Sequence, residues 1–196
     1  MRKSLVMTSL VLASTSMMAM DLQYFLGAGV ERGNLDYKIT GSGSNGSVIN
    51  LSDDVTDSNL KLKAGIILDK THRVSLSHVN FDATDTDFRI ILGNYDYLMP
   101  INDEFRLYAG LHLGNAEYKE TNIGTLGTAK ISGLAYGAQV GAIYDITKNI
   151  EFELGLAYTK YNLDKTFNWT DSGEDITAKI ELEDSTSMFA GLNFKF

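Results

Sequence analysis

Eight segments of this chain alternate apolar residues with polar or small ones, and this period of two limits the available folds more than any other feature. In the last segment, Leu192, Phe194 and Phe196 share one face, and Asn193 and Lys195 share the other. Such a period is that of a β-strand whose two faces meet different surroundings. We therefore predict an all-β fold of eight antiparallel strands, at about 22–31, 59–69, 73–81, 87–97, 105–114, 133–144, 150–159 and 187–196.

The fourth segment has a less regular pattern than the others. Phe88, Ile90 and Leu92 form its apolar set, and Arg89 and Gly93 form its polar set. The alternation changes phase near the two tyrosines at the end of the segment. A β-bulge, which adds one residue to a strand, would account for that change. This interpretation places the Arg89 side chain on the polar face.

The connections between the segments are of two kinds. Tight turns are predicted at 69–72, 98–103 and 145–149. Long polar loops are predicted at about 33–58, 115–130 and 162–184. The link at 82–87 is short and breaks the pattern. Successive connections of an antiparallel meander lie at opposite ends, and short turns at one end with long loops at the other are typical of outer-membrane barrels.

The N-terminal residues differ from the rest of the chain. Arg2 and Lys3 precede an apolar stretch at 5–12, which small residues follow. This is the layout of a secretory signal peptide, and the apolar stretch is too short to span a bilayer as a helix. We predict a cleaved signal peptide at 1–19, followed by one exported barrel domain at 20–196.

Composition excludes several functional classes. The net charge is −8, and the chain has 17 Lys and Arg against 25 Asp and Glu. Nucleic acid is therefore not an expected partner, since binding to phosphates needs clustered basic residues. The absence of Cys excludes a disulfide framework and a thiolate zinc site. No motif in the sequence calls for a cofactor.

Three features predict that the apolar faces contact lipid and the polar faces line the lumen. The glycines within the strands fall on the polar faces, at 27, 29, 65, 93, 110, 114, 133, 137, 141, 155 and 191, where small residues leave room inside a narrow barrel. Apolar-face aromatics gather near the strand ends, as in interfacial girdles. These aromatics are Tyr24, Phe88, Phe105, Tyr144, Phe152, Tyr158 and Phe196. The polar faces also carry charges of both signs.

These charges are expected to form a network inside the lumen. Its predicted members are Lys61, Lys63, Arg89, Arg106, Glu151 and Glu153. Enclosed together, charges of opposite sign pair, whereas an isolated buried charge is costly. We predict that Arg106 pairs with Glu151 or Glu153, and that Arg89 joins the same network.

With its signal peptide, eight alternating segments and terminal "GLNFKF", the chain resembles the small outer-membrane β-barrel family of OmpA/OmpX-like proteins. The resemblance covers the whole mature chain and implies an eight-stranded up-and-down transmembrane barrel in the outer membrane of a Gram-negative bacterium. It also implies that Leu192, Phe194 and Phe196 form the signal for the barrel assembly machinery. Outer-membrane lipid and lipopolysaccharide are the other expected partners.

Three functional classes remain open at this stage. The first, which we favour, is a structural or surface-interaction role through the long loops, whose ligand the sequence does not name. Acidic residues of these loops, among them Asp53, Asp54, Asp57, Asp171, Glu174 and Asp175, are either solvated or gather divalent cations. The second is a narrow pore, if the ion pairs of the lumen re-form around a path.

The third class is an enzyme that modifies lipid A. The deacylase type resembles a His-x-Ser pair on the outward face of a strand. His78 has outward parity, but Asn80 stands where the serine is needed. His112 has lumen parity and is expected to pack there, and His72 lies in a turn. We therefore predict that the protein is not an enzyme.

Overall fold

The structure is a computed structural model that describes residues 21–44, 46, 48–83, 86–120, 129–171 and 174–196. The predicted signal peptide lies outside the described residues. None of the described residues belongs to a helix long and apolar enough to cross a membrane.

Eight antiparallel strands form a closed barrel, as predicted. Each strand pairs with the next along the chain, and β1 pairs with β8 to complete the cylinder. No sheet edge is therefore left open through the barrel wall, which a lipid environment requires. The strands are β1 (Leu22–Gly43), β2 (Val48–Leu68), β3 (His72–Ala83), β4 (Thr86–Pro100), β5 (Phe105–Glu120), β6 (Ala129–Asp145), β7 (Ile150–Asp171) and β8 (Glu174–Lys195).

The apolar faces of the strands point outward. Leu111 is 66% exposed and Phe194 is 52% exposed, whereas Arg73 and Glu151 are fully buried. A water-soluble barrel would show the opposite arrangement, because burial of apolar surface drives its folding. The outer surface is therefore suited to lipid, and the polar residues line the interior.

Strand β4 is the exception, and here the predicted faces were wrong. Ile90 and Leu92 are buried in the interior, while Arg89 and Gly93 are exposed on the outside. The predicted bulge is also absent: β4 pairs with β3 and β5 without a register shift among the described residues. Inward and outward residues alternate without interruption through β4, and Tyr95 lies on the outward face.

Two other expectations for β4 fail for the same reason. Phe88 was predicted to join an outer aromatic girdle, but it packs against the interior apolar cluster, with its ring centroid 6.1 Å from that of Tyr161. Gly93 is the one predicted lumen glycine that lies outside. Tyr95 and Tyr97, on the outer face, take the place of Phe88 among the exposed aromatics, but near the short turns.

The long loops of the prediction are mostly extensions of the strands. The pairing of β1 with β2 continues to Ser42–Val48, and that of β7 with β8 continues to Asp171–Glu174. In contrast, the pairing of β2 with β3 ends at Leu60–Asn80, and that of β6 with β7 ends at Leu134–Asn162. Strands β7, β8, β1 and β2 therefore continue as a four-stranded sheet, here called the extension, beyond the level at which the wall is closed.

Two apolar clusters lie in the interior. One is formed by Val79, Ile90, Leu92, Ala116, Ile131, Ala135, Tyr161, Leu163 and Leu182, on the side of the barrel near the extension. The other is formed by Phe25, Ile67, Leu98, Tyr108, Ile143, Ala157 and Phe189. The second is interleaved with charged side chains, which form the site described next.

Candidate functional site in the barrel lumen

The group of charges nearest the short turns is centred on Arg106 of β5. Its Nη2 lies 2.7 Å from Glu151 Oε2 and 3.0 Å from both carboxylate oxygens of Asp145. The Lys195 ammonium donates to Asp145 and lies 3.5 Å from Glu151 Oε2. Two cations and two carboxylates therefore close this end of the lumen.

A second group lies deeper and is centred on Glu153 of β7. Its Oε1 accepts hydrogen bonds from Lys63 Nζ at 2.9 Å and from Arg73 Nη2 at 2.7 Å. Arg73 Nε also donates to Asp96 at 2.9 Å, and Gln139 donates to the other oxygen of Asp96 at 2.6 Å. Strands β2, β3, β4, β6 and β7 are thus linked across the lumen through side chains alone.

Asn193 of β8 joins the two groups. Its amide donates to Glu151 at 3.0 Å and to Glu153 at 3.0 Å. A single amide that bridges two parallel carboxylates neutralises no charge, but it satisfies acceptor oxygens that water cannot reach in a buried site. The two groups therefore form one continuous network.

A third pair extends the network toward the extension. Lys61 Nζ lies 2.7 Å from Glu31 Oε2 and 3.6 Å from the ring centroid of Phe189. The cation thus meets a carboxylate on one side and an aromatic face on the other, and both contacts are favourable. We call the whole set the lumen network: Glu31, Lys61, Lys63, Arg73, Asp96, Arg106, Asp145, Glu151, Glu153 and Lys195.

The charges of the lumen network balance. Five of its members are cations and five are carboxylates, and every member lies in an ion pair with another. Desolvation of isolated charges in such a space would be prohibitive, but pairs with good geometry and further hydrogen bonds recover much of that cost. The ion pairs of the network join strands on opposite sides of the lumen.

Tyr108 fills the space between the charges and the wall. Its ring lies 4.6 Å from the Arg73 guanidinium carbon. A Cβ atom placed on Gly141 would lie 2.5 Å from the Tyr108 hydroxyl. Gly141 pairs directly with Gly155 across β6 and β7, so two bare positions of the wall admit one aromatic ring. Glycine at these two positions leaves the space that the Tyr108 ring occupies.

Five of the six charged residues predicted for this network lie in it. Lys61, Lys63, Arg106, Glu151 and Glu153 are buried, and Arg106 contacts Glu151, one of its two predicted partners. The prediction for Arg89 was wrong, because the reversed parity of β4 turns this side chain outward.

Other members of the network were not predicted from the sequence. Arg73, and not Arg89, is the second arginine of the network. It is buried, and its position in the third segment has lumen parity. Asp96 was missed because the supposed bulge concealed its parity. Asp145 and Lys195 lie at strand ends, beside the turn and the C-terminus, where alternation alone does not distinguish a lumen residue from a solvated one.

The three histidines have separate environments. His112 Nε2 lies 3.0 Å from Thr159 Oγ1 in the lumen, and His72 Nδ1 lies 2.8 Å from the Tyr95 hydroxyl on the outer rim. His78 is half-buried on the outward face of β3, two residues from Asn80. Asn80 therefore stands where the deacylase-type motif would have a serine.

The terminal strand closes the barrel against β1. Phe196 exchanges two backbone hydrogen bonds with Tyr24, at 3.0 Å and 3.2 Å, and the two rings stack with centroids 6.1 Å apart. Leu192, Phe194 and Phe196 are all exposed on the outer face. The residues proposed as an assembly signal therefore form a continuous lipid-facing row, and their role in assembly stays a prediction.

The predicted cation site of the hairpins depends on six acidic side chains. The side chains of Asp53, Asp54, Asp57, Asp171, Glu174 and Asp175 lie outside the described residues.

Comparison with known proteins identifies the fold. No protein-family model matches the chain, and no curated protein matches it. Among solved structures, Neisserial surface protein A has a TM-score of 0.58 at 16% identity and covers 88% of this chain and 97% of its own. The outer membrane protein OprG from Pseudomonas aeruginosa has a TM-score of 0.53 at 14% identity, with 89% and 95% covered.

A third structure agrees with these two. The outer membrane protein AlkL, solved in lipid bilayers, has a TM-score of 0.55 at 14% identity and covers 86% of this chain and 90% of its own. Identities this low carry the architecture and leave the role open. The closed wall, the apolar exterior and the charged interior accord with these matches: the chain has the fold of the small eight-stranded β-barrels of the Gram-negative outer membrane.

Proposed function

We propose that this protein is an outer-membrane barrel with a closed lumen, and that it acts at the cell surface through its extension rather than as a pore. The observation that carries the proposal is the balanced lumen network, in which five cations and five carboxylates pair across the interior. The apolar cluster around Tyr161 and Leu182 supports it, because a layer of buried apolar side chains beside the charges opposes the passage of ions.

Conductance across a planar bilayer tests the closed lumen. Insertion is first verified by the faster migration of the unboiled protein on a gel, as expected for a compact barrel. We expect the inserted wild-type barrel to leave the bilayer at its baseline conductance, because no charge of the network is free to admit a solvated ion. Discrete openings of the wild-type protein would establish the alternative, a narrow pore formed by rearranged ion pairs.

The extension is the part of the molecule best placed to meet a surface partner. Four strands carry it beyond the closed wall, and its outer face is polar: Lys179 is hydrogen-bonded to Glu181 and lies 3.6 Å from Asp164. Among the described residues, the edge of β2 that faces away from β1 is unpaired between Val48 and Asn59, and the edge of β7 that faces away from β8 is unpaired from Leu163 onward. Unpaired strand edges offer backbone donors and acceptors to a partner.

Shortening of both hairpins tests the surface role. Residues 38–52 and 165–180 are each replaced by a two-residue Asn-Gly turn, which joins the paired residues Tyr37 and Asp53, and Asp164 and Glu181, removes most of the extension and keeps the closed wall. We expect the shortened protein to reach the cell surface and to migrate as a compact barrel. Cells that carry it should lose the adhesion that cells with the full chain show on panels of extracellular-matrix proteins and glycans. Equal adhesion by both proteins would refute the surface role.

An enzymatic role has less support. The histidine with outward parity, His78, lies beside Asn80 and has no serine two residues away. The solved structures with the similar fold named above carry no enzymatic description in their names. We therefore include no reaction in the proposed function.

A further inference from the structure

Glu153 of β7 contacts a lysine amine and an asparagine carboxamide with the same oxygen. Its Oε2 accepts hydrogen bonds from Lys63 Nζ at 3.1 Å and from Asn193 Nδ2 at 3.0 Å. The two nitrogens are therefore separated by no more than two hydrogen bonds. An amine, a carboxamide and a carboxyl group that contacts both are the groups that an amide bond between side chains requires, because the carboxyl group can carry protons from one nitrogen to the other.

Gly27 of β1 lies between the lysine and the asparagine. It pairs with Lys63 of β2 on one side and with Asn193 of β8 on the other, so the two side chains enter the lumen at the same level. A Cβ atom placed on Gly27 would overlap Asn193 Oδ1 and would lie 3.0 Å from Asn193 Cγ. The buried carboxamide therefore extends over Gly27 in the direction of β2, and β1 places no side chain between the reacting groups.

The surroundings of the lysine amine are those in which charges are costly. Lys63 and Glu153 are both buried, and the ring centroid of Phe189 lies 5.3 Å from Lys63 Nζ. Transfer of the Lys63 proton to Glu153 would remove two buried charges at once and would yield the neutral amine, which is the nucleophile. Arg73 would keep a carboxylate partner after this transfer, because its Nε also donates to Asp96 at 2.9 Å.

We propose that Lys63 and Asn193 form an isopeptide bond, with Glu153 as the residue that carries the protons. Lys63 Nζ, as the neutral amine, attacks Asn193 Cγ, and a new bond between carbon and nitrogen forms. Glu153, which has received the ammonium proton, donates it to Nδ2 and accepts another from the attacking nitrogen. The bond between Cγ and Nδ2 then breaks and ammonia leaves. No atom changes its oxidation state, so the step is complete without a further reactant.

One other lysine lies near the asparagine, but its contacts are different. Lys195 Nζ is 3.5 Å from Glu151 Oε2, whereas the Asn193 amide donates to the opposite oxygen, Oε1, at 3.0 Å. The two nitrogens thus contact different oxygens of Glu151, and a proton cannot pass between them through one atom. The geometry therefore selects Lys63 as the nucleophile, and Lys195 serves as the control lysine.

The bond would join β2 to β8 across β1, next to the seam at which the terminal strand closes the barrel. Residues 63–193 would then form one covalent ring that contains most of the wall. A ring of this length lowers the conformational entropy of the unfolded chain, so the barrel should resist denaturation more strongly. The inference depends neither on the closed lumen nor on the surface role, so a failure of either would leave it intact.

The mass of the full-length mature protein, purified from outer membranes, tests the proposal. The protein is unfolded by boiling before intact-mass spectrometry, and protease digestion then identifies any pair of linked peptides. Three variants accompany the wild type: Lys63→Arg keeps the charge but has no primary amine, Glu153→Gln removes the proton carrier, and Lys195→Arg is the matched control. Migration of the unboiled proteins verifies that each variant is folded.

We expect the wild type and Lys195→Arg to be lighter than their sequences by one ammonia, with a linked pair of peptides that contains Lys63 and Asn193. Lys63→Arg and Glu153→Gln should have the full mass. After boiling, these two variants should also migrate differently from the wild type, because their chains are linear.

A wild-type protein of full mass overturns the proposal. A mass loss without linked peptides also overturns it, because an asparagine that forms a succinimide loses ammonia without joining two peptides. Retention of the linked peptides in Lys63→Arg or in Glu153→Gln would overturn it as well. If Glu153→Gln does not fold, the wild type and Lys63→Arg decide.

Discussion

At the residue scale, the interior of this barrel depends on charges that are buried and paired with one another. Arg106 donates to Glu151, which is fully buried, and to Asp145, which is partly exposed. A buried ion pair gives little net stability compared with apolar packing, but the removal of one partner leaves the other charge uncompensated. Removal of one partner of a pair in the lumen network should therefore destabilise the barrel by more than the pair as a whole contributes to its stability.

The two arginines that the sequence predicts for the lumen network provide a direct test. Arg106→Gln should lower the free energy of unfolding by about 3 kcal/mol, because Glu151 and Asp145 are then left with Lys195 as their one shared cation. Arg89→Gln should change it by less than about 1 kcal/mol, since Arg89 is exposed on the outside. Reversible urea unfolding in phosphatidylcholine vesicles measures both. Equal losses for the two variants would contradict the outward placement of Arg89.

A pair of glycines tests the filling of the lumen. Gly141→Ala should cost about 1–3 kcal/mol, because the new methyl group would overlap the Leu154 backbone oxygen and would lie 2.5 Å from the Tyr108 hydroxyl. At Gly93, on the outer face, the nearest atom to an added Cβ is a backbone oxygen at 3.6 Å, an ordinary contact. Gly93→Ala should therefore be neutral or slightly stabilising. The same urea titration decides, and a costly Gly93→Ala would place this residue in the lumen.

At the element scale, the terminal strand has both a structural and a proposed assembly role. Phe196 stacks on Tyr24 and lies 6.2 Å from the Phe194 ring, at the rim near the short turns. It also completes the backbone ladder between β8 and β1. A lipid-facing row at the end of the chain serves as a membrane anchor whether or not the assembly machinery reads it.

Replacement of the terminal residue separates these roles. Phe196→Ser should reduce accumulation in the outer membrane severalfold, while refolding of the purified protein into detergent is largely retained. Phe152→Ser removes an exposed aromatic from β7 and serves as the control, because it weakens the same interfacial rim without altering the C-terminus. Fractionation of cell envelopes and gel migration measure the two effects. Accumulation of Phe196→Ser at the level of Phe152→Ser would exclude an assembly signal.

Strand β4 shows how an element can be misjudged from its pattern. Its interior residues near the extension, Ile90 and Leu92, are apolar because they face the interior apolar cluster rather than charges. Its outward residue Arg89 is polar because the strand leaves the acyl belt there. In this part of β4 the interior residues are apolar and an outward residue is charged. The positions of its apolar residues therefore predict the wrong outward face.

At the scale of the whole molecule, the barrel has two environments along its axis. The part near the short turns has an apolar exterior and a charged interior, and the extension is polar outside. Only the first part therefore requires lipid. The apolar exterior also ends at the short turns, so the same substitution should have different effects in the middle of a strand and in a turn.

Arginine at two exposed apolar sites tests where the belt lies. Leu111→Arg, in the middle of β5, should cost about 2–4 kcal/mol, since the charge would enter the acyl chains. Ile101→Arg, in the turn between β4 and β5, should cost less than about 1 kcal/mol, because the interface accepts a charge. Both side chains are more than half exposed, at 66% and 59%. Equal costs in vesicles would show that Leu111 does not face lipid.

The amino-acid sequence determined the strand number, the meander and the two faces of seven strands. The reason is physical: each of these strands separates lipid from a polar interior, so its composition must alternate at every second residue. The sequence likewise determined which charges of β2, β5 and β7 enter the lumen, because parity is a local property of a strand.

The tertiary structure decided the rest, because the rest depends on which strand lies opposite which. The barrel register brings Arg73 to Glu153, which is 80 positions away in the chain. It also lets β1 and β2, and β7 and β8, remain paired in stretches that read as loops, where polar residues lie on the outer face and apolar residues such as Leu163 and Leu182 turn inward. The faces of β4 follow from the continuous ladders on both its sides, not from its own side chains.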